Sequence, residues 1–164
     1  ARVSGDAQVY GNAQVYDSAQ ASDSAWVSGS ARVYDSAQVY DSARVSGNAQ
    51  VYDSARVSGN AWVYGNARVY GDAQVYGNAR VSGDACIPAQ GLIFWASVVG
   101  TENGTLTVYN TRDGALEVTR GCFRGSVEQF LAASAAKHDA ATCHEYKLLI
   151  EVAKSRITRN RQGG

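Results

Sequence analysis

Six residues, Ala-x-Val-(Ser/Tyr)-(Gly/Asp)-(Asn/Asp/Ser), repeat without a gap from Ala1 to Asp84, fourteen times in succession. Ala85-Cys86-Ile87-Pro88-Ala89-Gln90 is a degenerate fifteenth copy. A fixed short period is the mark of a solenoid, in which each repeat contacts only its neighbours. Val at the third position is β-branched and suits an extended segment. Val and the Ala four residues later recur at fixed phase, giving two inward side chains per hexad. The Gly/Asp and Asn/Asp/Ser pair supplies turn chemistry, because these residues tolerate positive φ or bond their own backbone. Each hexad therefore reads as a short strand and a corner. With no loop to interrupt the register, the surface consists of side-chain ladders rather than a walled pocket. Ala21 stands where every other full hexad has Val, and leaves the second coil short of core volume.

The aliphatic-to-small step, Val3…Ala7, Val9…Ala13 and on to Val81…Ala85, resembles the left-handed parallel β-helix of the hexapeptide-repeat family over residues 1–90. That resemblance implies triangular coils of about 18 residues, three hexads each, and about five coils stacked at the usual strand spacing. At this period the chain sorts into three faces. One carries a column of Tyr16, Tyr34, Tyr52 and Tyr70, followed at the corner by Asp17, Asp35, Asp53 and Gly71, and preceded by Gln14, Arg32, Gln50 and Arg68. A second carries Gln8, Trp26, Arg44, Trp62 and Arg80. The third mixes Arg2, Gln20, Gln38, Arg56 and Gln74. The chain has no Met and begins inside a repeat, which reads as a piece of a longer protein with an uncapped amino end.

The period ends at Gly91, and residues 91–158 read as a small α/β domain that caps the solenoid. Three strands are expected, Leu92–Val99, Thr105–Asn110 and Ala115–Phe123, with turns at Gly100–Gly104 and Thr111–Gly114. Ser126-x-x-Gln129 is a capping box that opens a helix through about Lys137. Thr142-x-x-Glu145 reads as a second box, opening a helix to about Ile157 with Tyr146, Leu149, Ile150, Ala153 and Ile157 on one face. Residues 159–164 read as a flexible tail. The runs Thr107–Gly114 and Gly121–Leu131 resemble a small domain of uncharacterised bacteriophage proteins. That resemblance implies a phage origin, placing the chain in the cytoplasm of an infected bacterial host or in the virion, and implies no activity.

The formal net charge is zero, so nothing indicates a nucleic-acid partner, and no apolar run is long enough for a membrane span. Cys86, Cys122 and Cys143 are not a disulfide framework. Many hexapeptide-repeat proteins are acyltransferases, whose usual site needs a histidine near a coil edge and an extruded loop. Residues 1–90 have no His and an unbroken register, so the acyltransferase reading ranks behind a non-enzymatic one. No catalytic residue, metal or cofactor is assigned. His138 and His144 lie around the expected inter-helix loop with Cys143, where capping explains them more simply than metal binding or a nucleophile pair with Cys122 or Cys143. The candidate interface is the column Trp26, Arg44, Trp62 and Arg80, with the column Tyr16, Tyr34, Tyr52 and Tyr70 as a second surface for a glycan, a host ligand or a neighbouring subunit. The expected protein is a self-associating scaffold or binding protein, a homo-oligomer with the trimer as the first assignment. Sequestration of a host ligand, or blockade of a host factor, is the alternative.

Overall fold

The computed structural model describes residues 1–162 of the 164, and the chain divides into two compact units, Ala1–Gln90 and the chain from Gly91 on. The first unit is a parallel β-solenoid of fifteen two-residue strands, β1 (Arg2–Val3) to β15 (Cys86–Ile87), one per hexad. These strands form three five-stranded sheets, and each strand pairs with the one three hexads later, as in Arg2↔Gln20 and Val3↔Ala21. Three hexads thus complete one coil, giving five coils.

Two backbone features impose this geometry. The fifth residue of every hexad, glycine in nine and aspartate in five, has φ between 56° and 67°. This left-handed conformation turns the chain at each corner, and Gly and Asp are among the few residues that adopt it at low cost. The N–H of the hexad's following Ala then donates to the carbonyl of the fourth residue, as Ala7 does to Ser4 at 3.3 Å. Between coils, the N–H groups of positions 2, 4 and 6 donate to the carbonyls of positions 1, 3 and 5 of the next coil. Gln8 to Ala25 (2.9 Å), Tyr10 to Val27 (3.0 Å) and Asn12 to Gly29 (2.8 Å) show the pattern.

Positions 1 and 3 point inward, and from Ala19 to Ile87 every one of them is fully buried. Ala21 is buried between Val3 and Val39 in its sheet. In the first coil Val3 is 50% exposed, since it has a neighbouring coil on one side only. Aspartate corners add side-chain bonds: Asp41 Oδ2 accepts from Gly59 N (3.1 Å) and Asp53 Oδ2 from Gly71 N (3.1 Å).

The second unit is an antiparallel sheet, β16 (Ile93–Val99), β17 (Gly104–Asn110), β18 (Leu116–Arg120) and β19 (Phe123–Ser126) in that order, with helices α1 (Val127–Lys137) and α2 (Ala140–Gln162). Its core is built from Leu92, Leu106, Val108, Val118, Val127, Phe130, Tyr146, Ile150, Ala153 and Ile157. Three sequence expectations need correction. The third expected strand, Ala115–Phe123, is two strands, because Gly121 takes φ 58° and returns the chain so that Phe123 pairs with Arg120. The second helix starts at Ala140, not at Thr142. Asp139 accepts the Thr142 N–H at 2.8 Å, and that bond holds its carboxyl below the ordinary aspartate value. Glu145 is drawn away to the Gly100 N–H at 2.6 Å. The expected tail, 159–164, is helical through Gln162. Arg161 Nε donates to Asn110 Oδ1 (2.8 Å) and Arg161 Nη2 to the Ala115 carbonyl (3.1 Å). Gly163 and Gly164 lie outside the described residues. The Ser126 capping box forms as expected.

Val33→Asp places an unpartnered carboxylate in the coil interior, at a cost of several kcal/mol unless it protonates. The cooperative thermal transition seen by circular dichroism should be lost. Gly65→Ala meets a second limit: its φ is 66° and an added Cβ would lie 2.8 Å from Gly83 N. The left-handed strain and the backbone clash together should cost about 2 kcal/mol or more, read from denaturant unfolding.

Candidate functional site: aromatic ladders and a cleft

The 18-residue spacing brings the candidate interface residues together in one sheet. Trp26 pairs with Arg44, Arg44 with Trp62, and Trp62 with Arg80. Each guanidinium lies over indole: Arg44 is 4.7 Å from the Trp26 ring and 5.0 Å from Trp62, and Arg80 is 4.7 Å from Trp62. Each such contact is worth about 0.5–1 kcal/mol at an exposed site. Two tyrosines that the column analysis missed extend the stripe. Tyr10 meets Trp26 edge-on at 6.2 Å, and Tyr64 meets Trp62 at 6.5 Å. They escaped notice because the fourth positions of this face are Tyr10, Ser28, Ser46, Tyr64 and Ser82, which form no continuous aromatic column. Along this sheet the second and fourth positions are Gln, Trp, Arg, Tyr and Ser, with no carboxylate among them. The surface is flat, aromatic and cationic.

The second column also forms. Tyr16, Tyr34, Tyr52 and Tyr70 stack face to face, with ring centroids 5.0, 4.9 and 4.9 Å apart and planes within 5° of parallel. Their hydroxyls reach over the second position of the next coil: Tyr34 Oη donates to Gln50 Oε1 at 3.3 Å, and Tyr70 Oη lies 3.2 Å from Cys86 Sγ. Arg68 Nε, in the same sheet, is buried with no hydrogen-bond partner. Nothing in the structure explains that.

The hydrogen bond to Cys86, followed by burial, pushes the Tyr70 phenol up to about 12. Burial first, then neighbouring Tyr52, Tyr16 and Asp35, raises Tyr34 as well.

In the second unit the Cys and His residues take different positions, and Cys122 and His138 share a cleft. Cys143 ties the two helices, its thiol donating to the Ser134 carbonyl at 3.3 Å. His144 is exposed on the first turn of α2. Cys122 and His138 line a cleft of about 320 Å³ with Glu102, Arg120, Phe123, Phe130, Lys137 and Tyr146. Phe123, Phe130 and Tyr146 pack edge to face, with centroids 5.4 and 5.0 Å apart. Arg120 Nε donates to Tyr146 Oη at 3.1 Å, and Arg120 Nη1 is 3.6 Å from Glu102. Sequence reasoning missed this cleft. Its residues come from two turns, the end of a strand and two helices, and no motif links them.

Comparison with known proteins adds to the picture of the first unit. The coils are similar to the YdcK beta solenoid repeat, whose family model matches residues 7–23, 37–53, 43–59, 49–65, 55–71, 61–74 and 73–87. No curated protein and no solved structure matches the chain. Together the matched repeats and the stacked coils make this a β-solenoid repeat protein.

The Tyr70 environment has a pH consequence with a defined sign. Its phenol ordinarily ionises at 10.0, and the folded chain holds that proton to about 12. The folded state therefore keeps a proton that the unfolded state has lost, and stability falls as pH rises through this window. The contribution is complete below the unfolded value and gone above the folded one. In Tyr70→Phe the component of the tyrosinate absorbance that titrates near pH 12 should shrink. The variant should also lose less stability than the parent across the same pH interval.

Proposed function

We propose that the chain is a non-enzymatic scaffold of bacteriophage type that self-associates through its Trp–Arg face. The observation that carries this reading is the exposed aromatic–cation stripe. Trp26 is 36% exposed and Tyr10 is 47% exposed, on a flat parallel sheet where each Arg is held between or beside indoles. Trp, Tyr and Arg are the residues that most often dominate interface energetics. A fixed ladder presents them with little rotamer freedom left to lose on contact. The Tyr column is the weaker candidate for the contact, because its hydroxyls already bond along the ladder.

The non-enzymatic reading is supported by the hexads themselves, which hold no His and no Glu. The phage assignment rests on the resemblance of Thr107–Gly114 and Gly121–Leu131 to the phage-type domain. In that setting the chain acts in the host cytoplasm or in the virion. A closed assembly agrees with the general preference of homo-oligomers for closed symmetry, and the trimer is what the hexapeptide-repeat resemblance implies. No helix among the described residues is long and apolar enough to cross a membrane.

The test is Trp26→Ser combined with Trp62→Ser, which keeps the hexad pattern and removes both indoles. Light scattering should report a smaller particle than the parent, with the far-ultraviolet strand signal retained. A parent that is monomeric at high concentration overturns self-association. An oligomer unchanged by the double substitution overturns the assignment of the contact to this face.

A further inference from the structure

We propose that the cleft of the second unit is a binding site for a small carboxylate with an aromatic or aliphatic body, anchored by Arg120. The charge arrangement is the first reason. The Arg120 side chain is only 12% exposed, and a guanidinium cannot shed its proton to relieve burial. Tyr146 Oη occupies its Nε. The carboxylate paired with its outer edge, Glu102, is 81% exposed and stands at 3.6 Å, beyond the 2.7–2.9 Å or so of a charge-assisted hydrogen bond. A largely buried cation thus faces a loosely held, solvated acid. Glu102 itself is solvated and makes no close hydrogen bond to the guanidinium, so a ligand carboxylate can take its place. Lys137, at the end of α1, adds a second cation to a lining whose sole acid is Glu102.

The walls supply the second reason. Phe123, Phe130 and Tyr146 line the cleft as a connected edge-to-face group, joined by Ala133 and the ring of His138, which meets Tyr146 at 5.7 Å. A volume of about 320 Å³ accommodates a small organic ligand. A predominantly apolar wall with one cationic end selects an acid bearing a hydrocarbon body over a bare anion.

The third reason is preorganisation. Gly100 has φ 75°, and any Cβ there would run into the Tyr146 hydroxyl and approach Arg120 Nη2. The bare backbone lets the turn pack against the anchor and the Tyr146 hydroxyl bonded to it, and Glu145 fixes that turn through the Gly100 N–H. Val98, two residues before Gly100 near the end of β16, has φ 59° and is 73% exposed. A β-branched residue in the left-handed region is costly, and such strain persists where the surroundings over-determine it.

The experiment is calorimetric titration of the full chain with phenylacetate, using phenylethanol and inorganic phosphate for comparison. Phenylacetate should bind with Kd below about 1 mM, and the alcohol and phosphate at least about tenfold more weakly. Arg120→Lys keeps the charge but loses the planar fork, and should weaken phenylacetate about tenfold. Should that variant unfold, Glu102→Gln decides the matter. It removes the competing acid from an exposed turn and should tighten phenylacetate about threefold, an effect that a purely structural ion pair would not produce. The proposal is overturned if neither the parent nor Glu102→Gln binds phenylacetate. It is equally overturned if the alcohol or phosphate binds as well as the acid, or if Glu102→Gln weakens binding.

Discussion

The left-handed corner residue, locked by inter-coil hydrogen bonds, is the constraint on which the solenoid depends. Positive φ at the fifth position turns the chain at each of fourteen corners. Three N–H groups of the typical hexad then find carbonyls one coil on, as Asn48 N finds Gly65 O at 2.8 Å. These bonds satisfy a backbone that two-residue strands could not satisfy within themselves. They also forbid slippage, since an inserted residue would unpair every later ladder. The corner therefore accepts only residues tolerant of this conformation, and the choice between the two that occur has its own logic. Glycine adopts it freely. Aspartate has a Cβ to accommodate but returns a carboxylate bond to the next coil's corner N–H, in the series Asp23 to Asp41 to Gly59 and Asp35 to Asp53 to Gly71.

Stacking at strand spacing dictates which side chains can share a column. Identical neutral rings stack well, and the four tyrosines lie nearly parallel at about the strand separation. Like charges directly paired are unfavourable, and no arginine pairs with another arginine in any solenoid sheet. Arg32 lies between Gln14 and Gln50, Arg56 between Gln38 and Gln74, Arg44 between two tryptophans. The Trp–Arg alternation is one instance of this rule, with indole taking the place glutamine holds elsewhere. What distinguishes that face is that its spacer residues are large and apolar, so obeying the rule leaves aromatic surface facing outward.

The solenoid was legible because its period is short and each position has one physical role. Strands, corners, inward residues and the register of Trp26 with Arg44 all follow from counting. Legibility ended where local signals compete. Thr142 and Glu145 have the spacing of a capping box, but Asp139 reaches the Thr142 N–H first and Glu145 serves Gly100, forty-five residues away. The run Ala115–Phe123 has strand composition throughout, and only the backbone of Gly121 shows that it folds back on itself. Arg159–Arg161 has the composition of a frayed end, yet Arg161 is held by Asn110 and Ala115, partners some fifty residues distant. The cleft was invisible for the same reason: Glu102, Arg120, Lys137 and Tyr146 carry no mutual spacing.

The division between flat and concave surface follows from the same physics. A solenoid of strict period repeats its outline in every coil, so its side chains form ridges along the stack and cannot close around a ligand. A concave site needs the period to break, so that a strand end, a turn and a helix end converge at unequal heights. That happens in the second unit. The turn residue Glu102, the turn at Gly121 and the end of α1 at Lys137 border one space. Gly121, in that lining, takes its φ of 58° outside any repeat, whereas each solenoid corner repeats a single conformation. On the two proposals above, broad and rigid contact falls to the repeated faces, and recognition of a discrete small molecule to the unit in which repetition has been given up.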